Sequence, residues 1–273
     1  MIKNQRDPDF LVVGTMKSGT TTLCDVLRQH PNITINNKEL HFFNGGIENG
    51  IDWYRRQLCA PPNNIVGEGT PTYSFLPHVP YIISQYFPGI KLLWIFRDPV
   101  QRTYSNYLHA YKKGVESRPF SLAVQEELFG KSTERFHSYI ERSIYTEQVR
   151  RYLRYFDISQ MHFIILEKFI QKPKTELKLL LDFLEVPSFN ETTFTLPMSN
   201  KTSIPKMIYL FRAINRICPH KKIRGAVRKI WPHTRKSPEM MKSTQLQLKQ
   251  YFYLANKELE EIIKEPLSSY WQM

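Results

Sequence analysis

The stretch that most constrains this chain lies near its start. There Phe10-Leu-Val-Val13 runs into Gly14-Thr-Met-Lys17-Ser-Gly19, and then into Thr20, Thr21 and Thr22. A short, continuous apolar run ended by glycine is the pattern of a strand buried on both faces of a parallel sheet. Beyond the turn, Leu23, Val26 and Leu27 share one helical face, and the spacing predicts a helix over 20–30 that Pro31 stops. A glycine-containing turn between strand and helix points backbone N–H groups at one spot, and the helix N-terminus adds partial positive charge there. Lys17 contributes a full charge, while Ser18 and the three threonines contribute hydroxyl donors. The expectation is an anion site for a phosphate-like group.

The loop is not that of the nucleotide triphosphatases, which place lysine directly after the second glycine. Here Lys17 precedes Gly19, and Gly19 is followed by threonine. Asp98 stands between Arg97 and Pro99, a turn sequence more than a Mg²⁺ ligand at a strand end. A nucleotide or metabolite kinase remains the alternative that any phosphate loop allows, but it does not fit the mechanics of ATP–Mg binding.

Further runs repeat the pattern. Lys91-Leu-Leu-Trp-Ile-Phe96 and His162-Phe-Ile-Ile-Leu166 read as buried strands. Helical spacing comes after the first, with Tyr104, Leu108 and Tyr111 on one side, and returns over 147–156, 174–184 and 238–264. Strands alternating with helices predict an α/β fold, a central parallel sheet flanked by helices on both faces. The length, 273 residues, suits one such domain over 1–273.

Charge is the unusual part of the composition. The net charge is +13, and eleven Lys or Arg fall within 201–236, while no Asp or Glu occurs between Glu191 and Glu239. Such a balance suits anionic partners. The segment 201–238 is read as a basic helical or loop cover for a cofactor or substrate, with membrane or anionic-polymer contact through 201–236 as the alternative. Nucleic acid is not expected, because no recognised binding module is present. Cys24, Cys59 and Cys218 form neither a disulfide framework nor a zinc pattern. Residues 1–8 have no signal-peptide character, and no run approaches the roughly 18 apolar residues of a membrane span. A soluble, cytoplasmic protein without a metal is expected.

Three segments, in order, carry a resemblance to a known family. They are Thr15-Met-Lys-Ser-Gly-Thr-Thr-Thr22, Lys38-Glu39-Leu-His41-Phe-Phe43, and Ile95-Phe-Arg97-Asp-Pro-Val-Gln-Arg-Thr-Tyr-Ser105. Together they resemble the sulfotransferases that use 3′-phosphoadenosine 5′-phosphosulfate (PAPS), in the branch of heparan-sulfate-modifying enzymes and bacterial relatives. Softer echoes are Gly67-Glu-Gly-Thr-Pro71-Thr-Tyr73, Arg142-Ser-Ile-Tyr145, Arg235-Lys-Ser-Pro238 and the Leu267-Ser-Ser-Tyr-Trp271 ending.

The resemblance implies a P-loop-like sulfotransferase fold with PAPS as donor and 3′,5′-ADP as product. It implies that Lys17, Ser18, Gly19, Thr20, Thr21 and Thr22 hold the 5′-phosphosulfate. Arg97 and Ser105 would hold the 3′-phosphate, for which the planar guanidinium fork of Arg97 is suited. Tyr145, Arg235 and Lys236 would lie near the nucleotide, and Glu68, Thr70, Tyr73 and His41 near the acceptor. Glu39 is the expected general base and Lys17 the stabiliser of the leaving group; His41 is the second candidate base. If 38–43 is extended, Glu39 and His41 point the same way and sequence does not separate them. Relatives often carry lysine where this chain has Gly69. The expected acceptor is a small molecule or a saccharide, and the short chain tilts toward a bacterial enzyme of specialised metabolism.

Overall fold

The computed structural model describes residues 6–130, 138–188 and 238–271, with strand backbone at 204–205 and 233–235. Packing divides the chain into two compact units. The first comprises 1–98, 144–199 and 255–273; the second comprises 99–143 and 200–254.

The first unit holds five parallel strands in the order β2-β3-β1-β4-β5. They are β1 (Phe10–Gly14), β2 (Ile33–Ile35), β3 (Ile65–Gly69), β4 (Lys91–Phe96) and β5 (Met161–Ile165). Alternate residues of the strands feed two cores. Leu11, Val13, Leu92, Trp94 and Phe96 pack with Val79 and Ile83 of α3 (Val79–Tyr86) and with Val149 and Tyr152 of α6 (Tyr145–Leu153). Phe10, Val12, Leu93, Ile95 and Ile164 face the other way. They meet Leu23, Val26 and Leu27 of α1 (Thr20–Leu27) and the leucines of α8 (Pro173–Leu184). Both faces are thus covered, which is why β1 and β4 read as unbroken apolar runs. The predicted α/β class and the parallel sheet with helices on both faces are what the chain forms.

The second unit is mainly helical. Helices α4 (Pro99–Lys112), α5 (Phe120–Leu128) and α9 (Lys242–Ala255) pack around Tyr107, Phe120, Val124, Leu248 and Phe252. Two short antiparallel strands, β6 (Ile204–Pro205) and β7 (His233–Arg235), also belong to it. The rest of the basic segment 201–236, expected as a helical or loop cover, lies outside the described residues.

Element ends differ from the sequence expectation in instructive ways. Helix α1 closes at Leu27 because the N–H groups of Gln29 and His30 bond to Val26 and Leu27 in tight turns, three residues back. The helix expected over 238–264 is two, α9 and α10 (Leu259–Ile263). Asn256 between them is buried, and its Oδ1 accepts the N–H groups of Tyr145 (2.7 Å) and Thr146 (3.3 Å). It therefore supplies from a distance the cap that Ile144 cannot give α6. Replacing it by Ala (Asn256→Ala) is expected to cost about 1–2 kcal/mol, by analogy with lost N-caps, in chemical denaturation.

Candidate active site at the C-terminal edge of the sheet

The anion loop extends from β1, the central strand. Gly19 has φ +97°, in the left-handed region, and a Cβ there would stand 2.9 Å from Leu166 Cδ1, so glycine alone fits without strain. Lys17 at the tip is also left-handed, with φ 71°. The loop is braced from beneath: Thr15 Oγ1 lies 2.6 Å from Ser18 Oγ and donates to the Ile95 carbonyl (3.1 Å). Helix α1 opens on Gly19 with no side-chain cap, which leaves its first-turn N–H groups for an anion. This donor set fits a phosphosulfate. The Ser18 side chain, expected at the phosphosulfate, is fully buried against Thr15, which leaves its backbone on the open side of the loop. Thr20 is buried, Thr22 half-buried and Thr21 exposed.

Parallel pairing sets β3 and β4 on either side of β1, so the residues just past the ends of those strands share one edge with the loop. After β4 comes Arg97, whose Nη1 donates to the Lys17 carbonyl (3.4 Å). Its own backbone is fixed from two sides. Tyr145 OH donates to the Arg97 carbonyl (2.9 Å), and the next N–H, of Asp98, donates to Glu167 Oε1 (3.0 Å). Trp271 Nε1 donates to the other oxygen of Glu167 (3.2 Å). Burial raises the Glu167 carboxyl above the usual carboxylate range, opposed by these hydrogen bonds. Tyr145, expected beside the nucleotide, has no exposed surface; its ring packs on Phe96 and Trp271, and its hydroxyl donates to the Arg97 carbonyl.

Ser105 lies half-buried on α4 of the second unit. In that unit too, Tyr104 OH donates to the carbonyl of Pro238, the last residue of the Arg235–Pro238 motif. Arg235 ends β7, and Lys236 lies outside the described residues.

The segment 38–43 is not extended. His41 is left-handed (φ 54°) and leads into a 3₁₀ turn, Phe42–Asn44. Phe42 and Phe43 are buried against Tyr54 of α2 (Ile51–Gln57), with ring centroids 4.7 and 5.3 Å away, while Glu39 and His41 stay about half exposed at 50% and 49%. Aromatic anchoring thus holds the turn and presents the two polar side chains to solvent. His41 Nε2 lies 3.1 Å from Glu39 Oε2, and His41 Nδ1 lies 3.3 Å from Asn44 Nδ2. Since an amide nitrogen only donates, Nδ1 accepts, and the proton of a neutral His41 sits on Nε2, directed at Glu39. Asn44 was missed in the sequence; its spacing of three from His41 in a tight turn is the signal that could have found it.

Glu68, Thr70 and Tyr73, expected near the acceptor, have no exposed surface. Glu68 accepts from Leu40 N–H (3.3 Å), from Tyr54 OH (3.4 Å) and from the Thr70 hydroxyl. Thr70 Oγ1 in turn accepts from His41 N–H (3.4 Å), and Tyr73 OH from Phe43 N–H (3.4 Å). At Gly69 a Cβ would come within 2.9 Å of Cys24 Sγ. Burial pushes that thiol up to about 12, so the side chain under Gly69 is an inert filler.

Burial also pushes the Glu68 carboxyl from 4.5 up to about 7, against the lowering effect of its hydrogen bonds. A raised native value for an acid means that its contribution to stability is complete below 4.5 and is lost as pH rises through about 7. The melting temperature of Glu68→Gln relative to the wild type is therefore expected to rise between pH 5 and pH 8, as thermal denaturation at both values will check.

Residues 7–252 match the sulfotransferase domain family. The chain belongs to that family. A crystal structure of a sulfotransferase from Alicyclobacillus acidocaldarius is 26% identical and superposes with a TM-score of 0.71, over 97% of this chain and 99% of that one. Among curated proteins, the mouse (Mus musculus) heparan sulfate glucosamine 3-O-sulfotransferase 5 is 31% identical over 191 residues, 67% of this chain and 55% of its own length. The human (Homo sapiens) heparan sulfate glucosamine 3-O-sulfotransferase 3B1 is 32% identical over 178 residues, 65% of this chain and 46% of its own length. The chain thus spans about half the length of the curated relatives it matches.

Proposed function

We propose that the chain transfers a sulfuryl group from PAPS to a hydroxyl of a small-molecule or saccharide acceptor, an amine being the secondary acceptor class. The observation that carries this is the convergence of two cationic residues on one sheet edge. Lys17 forms the tip of the anion loop, and Arg97 is bonded to the carbonyl of that same residue. A donor with a phosphosulfate and a separate phosphate calls for two such groups. In this reading the Lys17 ammonium and the first-turn N–H groups of α1 hold the phosphosulfate, and Arg97 holds the 3′-phosphate. Ser105, Arg235 and Lys236 keep their nucleotide roles on the sequence motifs alone.

PAPS supplies the sulfuryl group, and its departing phosphate gathers negative charge. Lys17 and the loop amides stabilise that charge. Glu39 takes the acceptor's proton. The hydrogen bond from His41 Nε2–H occupies one Glu39 oxygen, orients the carboxylate and leaves the other oxygen for the acceptor. That arrangement favours Glu39 over His41 as the base, since the His41 nitrogen facing the carboxylate carries the proton.

Thermal shift separates this from a kinase. Stabilisation is expected with 3′,5′-ADP, about 2.7 kcal/mol at a hundred times its Kd, and not with ATP–Mg. The opposite ranking would exclude PAPS as donor. An acceptor screen with radiolabelled PAPS over saccharides, phenols and hydroxylated lipids then identifies the substrate class. With the best of these, Glu39→Gln is expected to lower turnover about 100-fold or more while 3′,5′-ADP affinity is unchanged. Retained turnover would move the base to His41.

A further inference from the structure

We infer that Glu68 is a positioning residue for the Glu39–His41 pair, acting through the peptide groups on either side of Leu40. This deepens the proposed sulfuryl transfer and rests on it for its catalytic consequence, though its structural part does not.

The peptide joining Glu39 to Leu40 is fixed by the Leu40 N–H bond to Glu68 Oε1. The next peptide is fixed by the His41 N–H bond to Thr70 Oγ1, and Thr70 is itself bonded to the same Glu68 oxygen. One carboxyl group therefore orients the backbone that aims both exposed side chains. Apolar packing does not do this alone: Phe42 and Phe43 anchor the chain beyond His41 and Leu40 packs on the same core, but side-chain packing does not fix the peptide planes on either side of Leu40. The segment lies between β2 and a 3₁₀ turn, so no sheet or helix ladder supplies these N–H partners.

The choice of an acid is informative. Its hydrogen-bond partners, Leu40 N–H, Thr70, Tyr54 and Tyr73, are all neutral groups, so a fully buried carboxyl works against stability at neutral pH. Local violations of good folding chemistry concentrate at functional sites. The titratable groups around Glu68 are Tyr54 from α2, Tyr73 beyond β3, Tyr152 from α6 and Cys24 from α1. Burial pushes each of them up, away from neutrality, so among these buried groups Glu68 is the one that titrates near pH 7; Glu39 and His41, on the segment it braces, are exposed.

The test uses the full chain and two substitutions. Glu68→Gln keeps an oxygen for the Leu40 N–H, and Glu68→Leu keeps the volume but no acceptor. In the wild type, the Leu40 amide resonance is expected to move with pH around neutrality, and this movement is expected to vanish in Glu68→Gln. With radiolabelled PAPS and the best acceptor of the screen, Glu68→Leu should lose about 30-fold or more in kcat, the scale of a misplaced catalytic group. Its 3′,5′-ADP affinity should stay within about threefold, and Glu68→Gln should restore turnover to within about fivefold of the wild type. A Leu40 amide that does not titrate overturns the inference, as does full turnover by Glu68→Leu. A parallel loss of 3′,5′-ADP affinity in Glu68→Leu also overturns it, marking a general structural role. Full turnover by Glu39→Gln would instead sink the assignment of the base, and leave the amide titration as the measure of Glu68.

Discussion

Burial of β1 on both faces governs the rest of the molecule. Its even residues meet α1 and α8, its odd residues meet α3 and α6, and its two sheet neighbours are β3 and β4. A strand in that position has no freedom to slide, because a shift of one residue would exchange the two cores. Its end is therefore a fixed point, and the loop from Gly14 to Gly19 starts from it. Parallel pairing then brings the ends of β3 and β4 to the same edge. The anion loop, Arg97 and the Glu68–Tyr73 segment are neighbours for that reason alone.

Above this rigid edge the polar groups form two tiers. The buried tier consists of carboxyls and hydroxyls whose partners are backbone groups or other buried side chains: Glu68 with Thr70 and Tyr54, Glu167 with Asp98 N–H and Trp271, and Thr15 with Ser18. The upper tier is Glu39 and His41, about half exposed, with Lys17 half-buried at the tip of the loop. Each exposed group is attached to a buried brace through a hydrogen bond. The arrangement costs stability, since both Glu68 and Glu167 are desolvated, and it holds the upper tier in place.

The sequence shows clearly where geometry is set by local pattern. Apolar runs with a period set by burial named β1 and β4, and glycine at 19 with lysine at 17 named an anion loop. It carried less wherever a polar residue could turn either way. Ser18, Tyr145, Glu68, Thr70 and Tyr73 carry the chemistry of ligands, but all are buried and hold other parts of the chain. No local signal separates these two uses, because the partner is often far along the chain, as Arg97 is for Tyr145 and Leu40 for Glu68.

What the sequence determined by itself was the class of fold, the anion loop and the identity of the polar residues at the sheet edge, since these depend on spacing within a few turns of chain. Only the tertiary structure decided which of those residues stay exposed and which are buried against the protein. It also decided the direction of the proton on His41, the filling of the space under Gly69 by Cys24, and the roles of Asn44, Glu167, Trp271 and Asn256. The physical reason is that burial and hydrogen-bond partnership are properties of the packed chain, set by which strands lie side by side.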